Sequence, residues 1–378
     1  MRIMLFNTLY YPFQVGGAEI SVQLLAEELV KNGEKVRVIT LTDGSKRKET
    51  IINGVEVVYL PLLNIYWPFD NKKHTKIARL FWHLLDNYNF LMYFKVKKEI
   101  ENFKPDVVHT NNLAGFSVAV WDAVKSKGIK LLHTTRDYYL FHPNCTLFHN
   151  GMNMSGGEFN SRVWGAVKKR KSKKVDIAIG ISEYISQKHK VGEYFKGAKF
   201  SFIYNPVNVI PYIKKKSDKI RVGFIGRLTV EKGFDDFCKL ALSYINNTKY
   251  EFLAAGRFIN DTAGDELTKR AQEAGIELLG FIGVKDFLEN TDVIFLPIKW
   301  NEPFGRTVIE GFLSEKLIIT SNVGAISELS VLLPNIIVVG ECVDMEKLIE
   351  REVEPVTDKY KELFSAKKLT VQYLDLYK

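Results

Sequence analysis

The chain has 378 residues, 46% of them hydrophobic and 26% charged; this composition excludes intrinsic disorder, and the length is too great for one ordinary core and about right for two domains. Its 53 Lys and Arg against 44 Asp and Glu give a net charge of +9, a surplus that suits nucleic acid, anionic lipid or a phosphorylated small molecule without choosing among them. No run reaches the roughly 18 uninterrupted apolar residues of a membrane-spanning helix, and three scattered cysteines, Cys145, Cys238 and Cys342, imply no disulfide framework and a reducing, cytoplasmic setting.

In chain order, Arg2–Phe6 reads as a short buried strand, and Asn7 breaks the apolar run too early for a secretory leader. The loop "QVGGAE" follows. Ile20, Leu24, Leu25 and Leu29 then recur at helical spacing, with Gly33 placed to end the helix. "KVRVITLT", "DVVHT", "IKLLHTT" and "VDIAIGIS" are further short β-rich runs separated by helical stretches. Near "IYNPVN" the composition changes, and the polar, basic Pro211–Lys219 segment is read as the interdomain linker. The pattern restarts with "IRVGFIG", "YEFLAAG", "IELLGFI", "DVIFLP", "KLIITS" and "NIIVVG". Strands alternating with helices predict parallel sheets with crossover helices, hence two α/β, Rossmann-like domains facing across a cleft. Ligands of such sheets bind at the carboxyl ends of the strands.

Several stretches at those ends carry chemistry. In "RVGFIGRLTVEKGF" a strand stops at Gly226, Arg227 follows, and Lys232 and Gly233 open the next helix. The planar guanidinium and the mobile ammonium suit a diphosphate; the alternative is an ordinary surface turn. In "VGGAE", Gly16 and Gly17 precede a helix and let its first amides approach an anion. Neither a G-x-G-x-x-G fingerprint nor a Walker motif is present. In "KWNEPFGRTVIEGF", Glu302 sits in the loop after a strand, and Phe304, Gly305, Arg306 and Thr307 lead into a helix that carries Glu310. The first amides of that helix can hold phosphate. Glu310 can accept both hydroxyls of a ribose diol, and Glu302 lies nearer the sugar. A helix-start role, worth ~0.3–1 kcal/mol, explains one glutamate better than two.

Taken together, these stretches resemble the retaining, nucleotide-sugar-dependent glycosyltransferases of family four, which have the GT-B fold. The E-x7-E pattern is met by Glu302 and Glu310; "GGAE", "GRLTVEKG", "IYNPVN" and "SNVGAISEL" fit in order and spacing, over nearly the whole chain. The resemblance implies that Gly16 and Gly17 lie near the donor phosphates and the acceptor. It implies that Arg227 and Lys232 neutralise the leaving diphosphate, that Glu302 binds the donor sugar and Glu310 the ribose, and that backbone near Phe281 and Ile282 meets the base. No cofactor or metal is expected, in keeping with the lack of an Asp-x-Asp motif; the UDP- or GDP-linked sugar is a substrate. One departure stands out: where many relatives carry His-Asp, the chain has Arg136 and Asp137, which are assigned to the acceptor side.

The expected organisation is residues 1–208 as an acceptor-binding domain, joined by a C-terminal helix at 356–378, and 209–355 as the nucleotide-sugar domain. The expected activity is transfer of a sugar to a glycan or lipid-linked glycan in polysaccharide biosynthesis. The place of action is the cytoplasm, with contact at the inner face of a membrane left open and no nucleic acid partner. Rival readings are a nucleotide-sugar epimerase on the same fold and a sugar-nucleotide binder without turnover. His133, His142, Cys145 and His149 match no zinc spacing and are read as core or surface histidines and a free thiol. The basic run Lys168–Lys174 is read as a solvated helix face, with lipid contact as the alternative. The aromatic-rich segment around Leu80, Phe81, Leu84, Leu85 and Tyr88 is read as one or two core helices of the first domain, with an apolar flank of the acceptor site as the alternative.

Overall fold

The structure, a computed structural model, describes residues 1–70, 72–340 and 343–378; Cys342 lies outside the described residues. The chain forms two compact units. The first comprises Met1–Leu147, Ser155–Pro206 and Ala366–Lys378, and the second Phe148–Met154 and Val207–Ser365.

The first unit is built on β1 (Arg2–Phe6), β2 (Lys35–Thr42), β3 (Lys48–Ile52), β4 (Val55–Pro61), β5 (Val107–Thr110) and β6 (Lys130–Thr135). After the small hairpin β7 (Phe148–His149) and β8 (Met152–Asn153), the chain returns to add β9 (Ile177–Gly180) and β10 (Lys199–Phe202). The sheet order is β10-β9-β6-β5-β1-β2-β4-β3, parallel throughout except where β3 folds back on β4. Ile3, Met4, Leu5 and Phe6 are all fully buried, as a central parallel strand covered on both faces requires. The order reverses between β1 and β5, which opens a crevice at their carboxyl ends. The helix Ala366–Tyr377 closes this unit, adding Leu369, Tyr373 and Tyr377 to its main core. Each large side chain so buried contributes about 1.5–3 kcal/mol. The Tyr377 hydroxyl and His109 Nδ1 are hydrogen-bonded at 2.7 Å, inside that core.

The second unit holds β11 (Ile220–Ile225), β12 (Tyr250–Ala255), β13 (Glu277–Gly280), β14 (Val293–Leu296), β15 (Leu317–Thr320) and β16 (Ile336–Val338). All are parallel in the order β13-β12-β11-β14-β15-β16, which is the doubly wound dinucleotide-fold order with its switch point between β11 and β14. The segment expected to return wholly to the first domain, 356–378, is divided. The helix Asp358–Leu363 stays with the second unit, where Tyr360 packs on Phe312 and the Phe364 carbonyl accepts from the Val207 amide. The chain leaves the first unit after Pro206, ahead of the basic segment read as the linker.

Two sequence readings are corrected here. The segment around Leu80, Phe81, Leu84 and Leu85 is helical over Lys76–Asn87, but those four side chains are exposed rather than core. The basic run Lys168–Lys174 is not simply solvated. The Lys168 ammonium is buried, donates to the Tyr139 carbonyl and lies 3.5 Å from the centre of the Tyr139 ring. Lys171 and Lys174 pair with Asp122, and Lys169 with Glu193.

Candidate active site

The loops at the carboxyl ends of β11 and β14 are locked together by glycine. Gly233, which caps the helix Phe234–Ser243, has φ +81°, and a Cβ on it would lie 1.7 Å from the Pro297 carbonyl oxygen. Only glycine permits that approach. The Glu231 carbonyl accepts from the amides of Lys299 and Trp300, each at 3.1 Å. Behind them, Gly324 of the "SNVGAISEL" loop (φ +57°) leaves no room for a Cβ, which would stand 2.4 Å from the Glu302 carbonyl oxygen; the Ala325 amide donates to that oxygen at 2.8 Å. The backbone of Glu302 is therefore fixed from both sides.

Its side chain is fixed as well. Glu302 Oε2 accepts from Lys232 Nζ at 2.7 Å and from Trp300 Nε1 at 3.0 Å, and the Lys232 ammonium lies 4.9 Å from the Trp300 ring centre. Among the described residues no protein donor is bonded to Oε1. Glu310 repeats the arrangement on the helix Arg306–Leu313: Oε1 accepts from Arg306 Nε at 2.9 Å, and Oε2 has no protein donor among the described residues. Burial raises the Glu310 carboxyl above its usual range, and the Arg306 guanidinium opposes that shift. Each acid is thus held by one oxygen and offers the other. Two such carboxylates can accept hydroxyls of polyols at defined positions.

The remaining expected donor groups form a row on neighbouring strands. Arg227 follows β11; it is 53% exposed and pairs loosely with Glu231 at 3.5 Å. Phe281 and Ile282 follow β13, with Phe281 exposed. Between them, after β12, is a residue the sequence reading missed. The Arg257 guanidinium lies 4.2 Å from the Phe281 ring centre, and its carbonyl accepts from the Leu228 amide at 3.0 Å. Its signal was in the sequence: "FIGR" and "AAGR" are the same strand–Gly–Arg ending on adjacent strands. Gly305 takes the left-handed conformation (φ +82°) that turns the chain into the helix, and the first-turn amides, Thr307's among them, lie at its N-terminal end. Phe304 is buried.

A contribution from the first half of the chain was also missed. The β7–β8 hairpin belongs to the second unit. Asn153 Nδ2 donates to the Lys299 carbonyl at 2.7 Å, and Asn153 Oδ1 accepts from the Asn301 amide at 2.8 Å. One carboxamide thus brackets Trp300 in the loop that leads to Glu302. Nearby, Lys299 Nζ bridges Asp235 and Asp236 at 2.6 and 2.9 Å.

In the first unit, Gly16 and Gly17 open the helix Gly17–Lys31, and the Gly16 amide is taken by Glu19 Oε2 at 2.8 Å. A protein carboxylate therefore occupies part of the anion site expected there. Arg136 and Asp137 follow β6 but form no ion pair with each other. Arg136 is buried; Nε and Nη2 donate to Asn111 Oδ1 at 3.0 and 2.9 Å, and Nη1 donates to Asn205 Oδ1 at 2.5 Å. Asp137 accepts from the Tyr139 amide at 2.8 Å, and burial pushes its carboxyl up to about 6. His133 is buried against Trp121 and Phe195, and burial holds its pKa well below the usual value. Among the described residues no group of three or more His, Cys, Asp or Glu is placed to hold a metal.

The whole chain superposes on solved structures. Sucrose-phosphate synthase from Thermosynechococcus elongatus superposes with a TM-score of 0.75 at 16% identity, over 100% of this chain and 98% of that one. Anabaena HepE in complex with UDP and glucose gives 0.70 at 15%, over 100% and 99%. The fold is GT-B, a glycosyltransferase architecture. The family model "Glycosyltransferase Family 4" matches residues 15–209, and "Glycosyl transferases group 1" matches 219–351. The chain belongs to glycosyltransferase family 4. Along its full length it is 47% identical to an "Uncharacterized 42.6 kDa protein in cps region" of Klebsiella pneumoniae, the match covering 100% of both. It is 24% identical to an uncharacterized glycosyltransferase of Methanocaldococcus jannaschii, over 87% of this chain and 82% of that one. The epimerase and non-turnover readings gain nothing from these matches.

Proposed function

We propose that this glycosyltransferase moves a hexosyl group from a UDP- or GDP-linked donor to a hydroxyl of a glycan or lipid-linked glycan, with retention and without a metal or other cofactor. The observation that carries the donor half is the pair of half-engaged glutamates: Glu302 and Glu310 each keep one oxygen anchored and one available for a hydroxyl. Glu310 takes the ribose diol and Glu302 the donor sugar. Lys232, Arg227 and the first-turn amides at Arg306 and Thr307 hold the diphosphate, and Gly16 and Gly17 belong to the same proposed donor-binding set. There they stabilise charge that develops on the leaving group, the part a metal plays in other transferases. The exposed Phe281 ring, backed by Arg257, offers a stacking surface for the base beside Ile282. Arg136 and Asp137 serve the acceptor side. Retention rests on the family resemblance. A setting in polysaccharide biosynthesis is supported by the description of the Klebsiella relative as a protein in the cps region; the cytoplasmic side is the proposed place of action.

The test is a thermal-shift panel of nucleotide sugars followed by calorimetry. A ligand at 100 times its dissociation constant adds about 2.7 kcal/mol. Glu310→Ala is expected to weaken binding of the matching nucleotide diphosphate about 10- to 100-fold, the cost of lost charge-assisted hydrogen bonds. An unchanged dissociation constant removes the ribose assignment.

A further inference from the structure

The helix Lys76–Asn87 has Ile77, Leu80, Phe81, Leu84 and Leu85 along one side, the i, i+3, i+4, i+7, i+8 stripe that normally faces a core. Here the opposite side is fastened to the protein. Trp82 and Asp86 are buried; Trp82 Nε1 donates to the Tyr66 carbonyl at 3.0 Å, and Asp86 Oδ1 accepts from the Gly115 amide. The apolar stripe is left outward. The next helix, Phe90–Phe103, buries Met92, Val96, Ile100 and Phe103 and leaves Phe90, Leu91 and Phe94 outside. These eight large apolar side chains are between 44% and 68% exposed. So many on two consecutive helices is unusual for a surface that meets only water.

The charge around them selects the occupant. Residues 72–98 contain seven Lys and Arg and one acid, Asp86, which is buried. Among the described residues none of the seven takes part in an ion pair. The basic run at 168–174, by contrast, has most of its cations engaged with Asp122, Glu193 and Tyr139. A second copy of this chain would bring the same unpaired positive charge against itself, which repulsion opposes. A helix of twelve residues, about 18 Å long, is too short to cross a bilayer but suited to lie in its interface.

We propose that this face docks on an anionic lipid bilayer, with the apolar stripe in the headgroup boundary and Lys73, Lys76 and Arg79 against lipid phosphates. This face is separate from the residues assigned to the donor. The test is flotation of the whole chain with phosphatidylcholine vesicles, with and without about 30 mol% phosphatidylglycerol. The chain is expected to float with the anionic vesicles and at least about tenfold less with the neutral ones. Phe81→Ser/Leu84→Ser is expected to stay in the bottom fraction, and Lys73→Glu/Lys76→Glu to lose about tenfold in partitioning. Both variants should keep wild-type thermal unfolding and nucleotide-induced shift, since the altered side chains are exposed. Failure to float, or flotation of Phe81→Ser/Leu84→Ser like wild type, overturns the proposal. So does a sedimenting dimer that this double variant dissolves, which would assign the face to a second copy. A chain that floats but shows no nucleotide shift would leave this surface standing and remove the donor reading.

Discussion

Replacing Lys232 with Met tests the centre of the candidate site. The ammonium is 2.7 Å from Glu302 Oε2, and the two side chains are 22% and 11% exposed. Removing one partner of a buried pair costs about 3–5 kcal/mol, whereas an exposed pair is worth about 0–1. Lys232 is partly wet, and Trp300 Nε1 still bonds the stranded carboxylate. We therefore expect a loss of about 2 kcal/mol, which lowers the unfolding midpoint by roughly 4–8 °C for a unit of this size. Met keeps the apolar stem against the Trp300 ring, so the loss reports on charge. Turnover should fall about 10²–10³-fold, the cost of one preorganised charge-stabilising donor. Glu302→Gln and the double variant complete a cycle, read by chemical denaturation and by initial rates of sugar transfer. Contact at 2.7 Å demands a coupling well above about 0.5 kcal/mol. Additive stability losses within that margin, together with near-normal turnover in Lys232→Met, would refute both the pairing and its role.

Arg227 is half exposed and only loosely paired, so Arg227→Ala should leave the unfolding midpoint unchanged while slowing turnover about 10²–10³-fold; steady-state kinetics at wild-type rate would exclude it from the mechanism. Burial raises the Asp86 carboxyl to about 6, against about 3.9 unfolded. Between about pH 4 and 6 the unfolded chain ionises this group and the folded chain does not, so ionisation favours unfolding as pH rises. The stability of wild type relative to Asp86→Asn should thus fall across that window, by about 3 kcal/mol at most, and stay flat above it. Denaturation at stepped pH measures the difference, and a gap that widens in favour of wild type would contradict the assignment.

The second sheet and the central strands of the first were legible because parallel strands buried on two faces leave continuous apolar runs, whereas β3, β4 and β10 toward the edges of the first sheet were not read. "KVRVITLT" coincides with β2, and the restart after the linker contains all six strands of the second unit. The β3–β4 hairpin was readable and passed over: Asn53 and Gly54 both have positive φ, as a two-residue hairpin turn requires. The engaged Gly16 amide was also implicit, since Glu19 stands three residues on, at the spacing of a capping box. Other features have no local signal. Periodicity shows that Lys76–Asn87 has an apolar side but not what that side meets. The grip of Trp300 on Glu302 and that of Asn153 on the same loop are decided by tertiary placement, which two-residue strands at β7 and β8 do not announce.

The bond from Asn153 to Lys299 joins positions 146 residues apart. During synthesis the hairpin leaves the ribosome long before the loop it will clasp has been made. A fragment beginning at residue 207 would carry every donor-side acid and cation of the second sheet yet lack the carboxamide that braces their loop. Excising the donor half as a working module therefore means carrying along seven residues that the gene places inside the other half.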